Sequence, residues 1–293
     1  MNARRLARQG FTLVELMISM TLTVIVGAAL IRLTLGQVRF MDQQEAVREA
    51  RSVSRSGINR LLSDLRAVET SLGLQAAAAG GQDFTVRVPY AMGVICSSNV
   101  GTTTVSVLPV DPNIYAEATP GYTGFAWRNA AGIYTNILGA NVGGSTPANC
   151  QNAGQDSIHT LPALNGSPAG QVVNLVGVNL FPAPPRGSIM YMYRSIRYEF
   201  KASVAVPGQI GLWRTVVTGG ATEELAAPFD ATARVNFYVL NNPVAQAAVP
   251  APLSNARGLE LVLNGLSERA PGGTSAQKSS LLTTSVFFQN RPD

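Results

Sequence analysis

Residues 11–31 of the 293-residue chain read FTLVELMISMTLTVIVGAALI, an apolar run in which Glu15 is the single charged residue. At about 1.5 Å per residue, a helix of this length spans roughly 30 Å, the thickness of a bilayer's hydrocarbon core. Arg4, Arg5 and Arg8 precede the run. Basic residues stay on the cytoplasmic side of a membrane helix, so they predict that the N-terminus remains inside and that the rest of the chain is exported.

Two ordinary interpretations of this run fit less well. The apolar region of a signal peptide has about 7–15 residues and is followed by a small-residue cleavage site, whereas this run is longer and no A-x-A-like site follows it. A plain membrane anchor leaves Glu15 unexplained, because a carboxylate at membrane depth costs on the order of 2.5–3.5 kcal/mol. The run therefore predicts a membrane-length helix in which Glu15 has a specific function.

The six residues GFTLVE at positions 10–15, between an arginine-bearing leader and an apolar helix, resemble the processing signature of type IV prepilins. The resemblance implies that a prepilin peptidase cuts after Gly10 on the cytoplasmic side and methylates the new N-terminal Phe11. It also implies that Glu15 pairs with the N-terminal amine of a neighbouring subunit during assembly. Such a pair is physically reasonable, because two opposite charges in an apolar filament core lower each other's burial cost.

The helical pattern continues beyond the apolar run. No proline occurs from position 32 to 72, and good helix formers dominate. Gly73 is a plausible stop, so we expect one helix from Phe11 to about Leu72, roughly 90 Å long. Its second half should pack on a domain through a stripe at helical spacing, which consists of Val47, Ala50, Ser54, Ile58, Leu61, Leu65, Val68 and Leu72. Gly27 and Gly36 fit either simple tolerance in a membrane segment or local melting when a subunit enters a filament.

The sequence divides the chain into a leader (1–10), a membrane or filament-core helix (11–31), its continuation (32–73) and a β-rich domain (74–293). The expected fold class is α+β, with the long helix packed on an antiparallel sheet.

Residues 76–81 look like a small-residue linker. Pro207-Gly208 suits a type II turn and predicts a hairpin over 196–218. The other strands, predicted from β-branched or alternating runs, are 84–88, 102–110, 172–180, 189–193, 233–240, 258–266 and 282–289.

Residues 111–170 form a loop-rich insertion in which we expect short strands. Cys96 and Cys150 bracket most of it, and we expect a disulfide between them if the domain lies in an oxidising compartment. A disulfide that closes a loop of this length would stabilise the folded state by roughly 4 kcal/mol, because it restricts the unfolded chain. Two free buried thiols are the alternative. Scattered aromatic residues between 115 and 134 could contact neighbouring subunits or an external ligand.

The second half of the chain extends the resemblance. Tyr198-Glu199-Phe200, Gly211-Leu212-Trp213-Arg214, Glu224-Leu225 with Phe229, the strand at 235–240 and the closing run at 286–291 resemble, in their order, the PilW minor pilins and the related J-type minor pseudopilins of type II secretion. The PilW pattern has a Gly-Cys pair after the first helix, whereas Cys96 follows Ile95. The implied protein is anchored in the inner membrane of a Gram-negative bacterium with a periplasmic domain. Its implied partners are other minor pilins, the major pilin and the assembly platform.

Composition argues against catalysis. His159 is the only histidine and lies in a polar stretch, so no hydrolytic triad is expected, and neither a cofactor nor a metal is predicted. Three of the 22 basic residues lie in the first ten positions, so removing that leader lowers the net charge from +5 to +2. Arg128 is the single basic residue between 100 and 170, which does not favour a nucleic-acid partner. The expected role is a minor pilin that primes assembly or lies at the tip. The alternatives are a J-type pseudopilin and a membrane-tethered adhesin or DNA-uptake tip protein.

Overall fold

The computed structural model describes residues 12–69, 73–99, 102–107, 122–128, 134–138, 141–146, 172–176 and 184–288. One helix, α1, spans Leu13–Leu65. Thirteen strands follow in the described residues: β1 Leu74–Ala77, β2 Asp83–Asn99, β3 Thr102–Val107, β4 Tyr122–Arg128, β5 Tyr134–Leu138, β6 Asn141–Thr146, β7 Val172–Val176, β8 Ile189–Ala202, β9 Ile210–Val216, β10 Thr222–Phe229, β11 Arg234–Val239, β12 Ala256–Leu266 and β13 Ser279–Phe287. A short 3-10 helix, Leu253–Asn255, precedes β12.

The expected fold class is confirmed, because a long N-terminal helix packs on an antiparallel sheet. The sheet runs in the order β11-β12-β10-β9-β8-β2-β3-β7-β6. Four further strands join it at the sides: β1 pairs with β2, β13 pairs with β12, β4 pairs with β8, and β5 pairs with β4. The C-terminal half of α1 lies across β10, β12 and β13.

The two longest strands, β2 and β8, hold two regions together. Near the helix, β2 pairs with β1 and β8 pairs with β9. Further along, β2 pairs with β3 and β8 pairs with β4. We call the part around β1 and β9–β13 the helix-side region and the part around β3–β7 the distal region. Both β2 and β8 run through the two regions. Their continuous antiparallel pairing therefore joins the regions directly.

Each region has its own apolar core. The helix-side core joins α1 to the sheet and includes the fully buried Leu61, Leu65, Phe84, Tyr198 and Leu261. The distal core contains no helix residue; its buried members are Ala91, Ile95, Tyr122, Phe125, Trp127, Leu175, Met190 and Met192. Three of these residues, Tyr122, Phe125 and Trp127, lie in the insertion on β4, so this strand is packed into a core shared with β2, β7 and β8.

The helix ends at Leu65 rather than near Leu72. Two hydrogen bonds that span three residues end the helix. The Ala67 N–H donates to the Asp64 carbonyl at 3.1 Å, and the Val68 N–H donates to the Leu65 carbonyl at 3.2 Å. Val68 is fully buried even so. A longer helix would carry the chain away from the sheet, whereas this turn brings Val68 and the start of β1 into the core.

The predicted hairpin is confirmed. β8 and β9 pair from Ile196↔Val216 to Ala202↔Ile210, and the Gln209 N–H donates to the Val206 carbonyl at 3.2 Å. Gly208 has φ +84°, as the third position of a type II turn requires.

Three strand expectations need correction. The linker at 76–81 overlaps β1. The predicted strand at 189–193 and the first strand of the predicted hairpin are one strand, β8, and β10 was not predicted. In β10 the register with β9 shifts twice, after Glu224 and after Ala226. Such irregularities break the alternation by which a strand is recognised from sequence.

Candidate functional site

The beginning of α1 is fixed by a reciprocal pair of side chains, Thr12 and Glu15. The Glu15 N–H donates to Thr12 Oγ1 at 3.3 Å, while the Thr12 backbone N–H and hydroxyl each donate to Glu15 Oε2 at 3.0 Å. This arrangement is a capping box, in which residues three positions apart satisfy each other's free N–H groups. The carboxylate is thereby held at the helix end, beside the position where the predicted cleavage would create a new amine.

The N-terminal half of α1 exposes its apolar side chains. Every residue from 12 to 42 is exposed except Gly27, which is intermediate. Leu13, Val24 and Met41 are each at least 69% exposed. By length and composition this segment of the helix can cross a membrane. Monomeric soluble proteins rarely expose an apolar surface of this size, so this half of α1 suits an apolar partner such as lipid or other helices.

Polar side chains within this half bond to the helix itself. The hydroxyls of Ser19, Thr23 and Thr34 donate to backbone carbonyls of the preceding turn at 2.7–2.9 Å. A hydroxyl satisfied in this way can enter an apolar environment at little cost. Glu15 is then the one residue of the 12–31 stretch that carries a charge.

The C-terminal half of α1 packs tightly on the sheet through small residues. A Cβ atom on Gly265 of β12 would lie 2.4 Å from the Ala50 carbonyl oxygen, so strand and helix backbones touch there. Ser54, the one polar residue of the predicted stripe, lies in this contact: its Oγ accepts from the Gly265 N–H and donates to the Ser280 carbonyl, both at 2.8 Å. Gly57 makes the next close approach, to Phe229.

A charged network fixes the end of the helix against β8, β9 and β10. Tyr198 Oη and Arg214 Nε both donate to Asp64 Oδ2, the second at 2.9 Å, and Arg214 Nη1 donates to Glu223 at 3.1 Å. Burial, reinforced by the Asp64 charge, raises the pKa of Tyr198 above its ordinary range. Tyr198 therefore stays protonated and donates to Asp64.

Glu69 lies just beyond the helix, at a small cavity shared with Arg87, Tyr193 and Gly73. Burial raises the pKa of Glu69 to about 7, because its charged form is poorly solvated there. Among the described residues, no group of three or more His, Cys, Asp or Glu side chains could hold a metal ion.

The structure reaches only part of the predicted site. Gly10, Phe11, Cys150 and His159 lie outside the described residues, and Cys96 lies on β2 with its side chain outside them. Glu15 is described and lies in the capping box. Cleavage, methylation and the disulfide stay predictions. The capping partner Thr12 was missed by the sequence reasoning, although the T-x-x-E spacing could have revealed it.

The aromatic residues of the insertion do not form a ligand surface where they are described. Tyr122, Phe125 and Trp127 are at most 6% exposed and belong to the distal core. Tyr115 lies outside the described residues. The expectation that aromatics at 115–134 contact a partner is therefore wrong for these three, which removes one support for an adhesin role.

Comparison with known proteins agrees with the N-terminal signature. Residues 5–31 match the family model described as the prokaryotic N-terminal methylation motif. No curated protein and no solved structure matches the chain. The matched motif, together with the exposed apolar helix, supports a type IV pilin or pseudopilin subunit, a structural class of protein, and is consistent with anchoring in the inner membrane. Assembly with other pilins follows from the same motif.

Proposed function

We propose that this protein is a minor pilin of a type IV pilus, of PilW type, which helps prime assembly or forms part of the tip complex. The observation that carries the proposal is the contrast within α1. The C-terminal part of the helix is bound to its own domain, and its N-terminal part is exposed and begins with the apolar stretch 12–31. Such a helix is built to be covered by something else. The methylation motif at residues 5–31 supports a subunit partner rather than lipid alone.

The mechanism has three steps. Prepilin peptidase removes residues 1–10 and methylates Phe11. The apolar half of α1 then moves from lipid to the helices of neighbouring subunits, an exchange between two apolar surroundings that changes little hydrophobic energy. Glu15 positions the incoming subunit, because its carboxylate pairs with the amine of an adjacent subunit and each charge lowers the desolvation cost of the other.

The domain acts as a rigid head outside the membrane. Its location would be the periplasm first and the pilus afterwards, with the major pilin, other minor pilins and the inner-membrane assembly platform as partners. A Cys96–Cys150 disulfide would suit that oxidising compartment and would hold the insertion to β2.

Mass spectrometry of the N-terminus tests the processing. The mature chain should begin at N-methylated Phe11, and Gly10→Val should leave Met1 in place and abolish assembly. An unprocessed Met1 in the native protein contradicts the proposal. Identification of the co-purifying subunits distinguishes a pilus from a type II secretion pseudopilus.

Three variants separate the two roles of Glu15. Glu15→Gln keeps an oxygen that can accept the Thr12 N–H, but it removes the charge. Glu15→Leu removes both, and Thr12→Ala removes the hydroxyl that caps the helix and keeps the charge. Assembly with sister subunits should fail in both Glu15 variants and survive in Thr12→Ala. If Glu15→Gln assembles normally, the carboxylate serves only as a cap and the charge-pairing step is wrong.

A further inference from the structure

The last strand, β13, forms an edge of the sheet in the described structure. It pairs with β12 over nine consecutive residues without a register shift, from Gly258↔Phe287 to Leu266↔Ser279. No other strand among the described residues pairs with it. Its second side therefore offers a regular row of backbone groups.

The ladder identifies which groups face outward. The Ser267 N–H donates to the Lys278 carbonyl and the Phe288 N–H donates to the Arg257 carbonyl, both at 2.9 Å. In an antiparallel pair, hydrogen-bonded positions alternate along each strand. Even-numbered residues of β13 thus bond to β12, and the N–H and C=O groups of Leu281, Thr283 and Ser285 point away from it.

Within the part of the chain that the structure describes, β13 lacks the sequence features with which proteins protect an exposed strand. Such edges usually carry charged residues, proline or a bulge, or are very short. The nine residues SSLLTTSVF contain no charge and no proline, and the pairing has no bulge. Leu281 and Phe287 are 63% and 59% exposed on the outer face, where Phe287 also packs on Tyr238 at a ring distance of 4.9 Å. An unprotected edge of this length favours an added strand.

The edge adjoins the uncovered part of α1. α1 packs against β13, and the loop that leads into β13 approaches the helix again. A Cβ atom on Gly272 would lie 2.9 Å from Asp42 Oδ2, and one on Gly273 would lie 3.5 Å from Arg39 Nε. Both helix residues belong to the exposed half. A subunit that covers that half therefore comes to lie beside the start of β13.

A second copy of this chain is a poor occupant. Antiparallel pairing of β13 with its own copy requires a two-fold axis perpendicular to the sheet. Because α1 lies on the face of the same sheet, that axis would reverse one helix relative to the other. Two reversed helices cannot both enter one membrane from the same side.

We propose that the free edge of β13 pairs with an extended strand from a different pilin subunit of the same assembly. The inference rests on the proposed function, since it needs a neighbour alongside α1. The partner strand should be uncharged and should place apolar side chains beside Leu281 and Phe287. Main-chain bonds to Leu281, Thr283 and Ser285 would give affinity, and those two apolar contacts would give register.

Thr283→Pro tests the pairing at one backbone group. Proline removes an N–H that β12 does not use, so the fold should persist, as proline is tolerated on edge strands at such positions. Thr283→Ala is the matched control, because it loses the same side chain and keeps the N–H. In full-length processed protein extracted from its membrane, Thr283→Pro should reduce co-purification of sister pilins by at least about tenfold, while Thr283→Ala should not.

A second variant covers the case in which Thr283→Pro does not fold. Leu281→Lys places a charge on the exposed edge and should reduce co-purification similarly, whereas Val204→Lys, at a 75% exposed site on the β8–β9 turn, should not. Full co-purification in a folded Thr283→Pro protein, or in Leu281→Lys, overturns the inference. Cross-links from position 287 to another copy of this chain overturn the choice of partner. If Gly10→Val blocks assembly while both edge variants assemble normally, the proposed function stands and this inference fails.

Discussion

The two halves of α1 belong to one continuous helix and meet opposite surroundings. From 12 to 42 its residues are exposed, with Gly27 intermediate. From 46 onward, the side that faces the sheet is buried at Ala46, Ala50, Ser54 and at four further positions down to Leu65. From 12 to 31 the first half is apolar on all sides apart from Glu15, and Arg32, Arg39 and Asp42 follow that run. The second half is apolar along one stripe. A helix packed on one side needs a stripe, and a helix surrounded by lipid or other helices needs apolar residues all round.

Residues of the same type therefore contribute differently to domain stability in the two halves. Leucine, glycine, serine and glutamate each occur in or beside both. In the second half, substitution should change the stability of the domain. In the first half, the same substitution away from Arg39 and Asp42 should leave domain stability unchanged, because the side chains there are exposed.

The largest difference is expected between two leucines. Leu61 is fully buried against the sheet, and Leu33 is 61% exposed. Leu61→Ala should lower the free energy of unfolding by about 2–5 kcal/mol through lost burial and a residual cavity. Leu33→Ala should stay within about 0.5 kcal/mol. Urea unfolding of the detergent-solubilised chain, followed by the fluorescence of the buried Trp127 and of Trp213, measures both. Equal losses would contradict the division of the helix.

Two glycines give the next largest difference. A Cβ atom on Gly57 would lie 2.9 Å from Phe229 Cζ and 3.1 Å from Leu263 Cδ1, whereas one on Gly27 would meet nothing within 4 Å. Gly57→Leu should therefore overpack the seam and cost about 1–3 kcal/mol. Gly27→Leu should cost the domain nothing and favour the helix by up to about 1 kcal/mol. Thermal unfolding measured by circular dichroism compares them, and a stable Gly57→Leu protein would show that the helix can move off the sheet.

The two serines should differ less. Ser54→Ala leaves the Gly265 N–H and the Ser280 carbonyl without their bridging hydroxyl and should cost about 1–2 kcal/mol. The loss is limited because Gly265 and Ser280 are opposite each other in the β12–β13 ladder and can approach. Ser19→Ala removes only a bond to the Leu16 carbonyl, on the exposed half. Its effect on urea unfolding should be below about 0.5 kcal/mol. If Ser54→Ala is as neutral as Ser19→Ala, the hydroxyl bridge has no net value.

Two glutamates should differ in how they affect the pH dependence of stability. Burial raises the pKa of Glu69 from 4.5 to about 7, so the native state holds this proton more tightly than the unfolded state. The stabilising contribution is complete below about pH 4.5 and is lost as the pH rises through 7. Glu69→Gln should remove this part of the pH dependence of unfolding between pH 4.5 and 7. Glu45→Gln, on the helix surface with its side chain 75% exposed, is the control. An unchanged profile in Glu69→Gln would place the proton elsewhere.

Much of this architecture could be predicted from local pattern. The stripe placed Ala50, Ser54, Ile58, Leu61, Leu65 and Val68 in the core, as observed, because helical periodicity is a property of neighbouring residues. It missed Gly57, since a residue without a side chain gives no apolar signal. The helix end was wrong by one to two turns because Val68 keeps the helical spacing while the chain turns toward β1. The role of Thr12 was within reach of the sequence, whereas the Ser54–Gly265 bond joins residues 211 positions apart and was not.

The sequence by itself determined the apolar first half of the helix, the position of Glu15 at its start and the β-rich character of the rest. Each of these depends on composition and on the spacing of neighbouring residues. Tertiary structure alone decided where the aromatic residues of the insertion go, how β2 and β8 join two cores, and which strand is left at the edge. Those outcomes depend on pairings between distant segments, and no local pattern records which partner a strand will find.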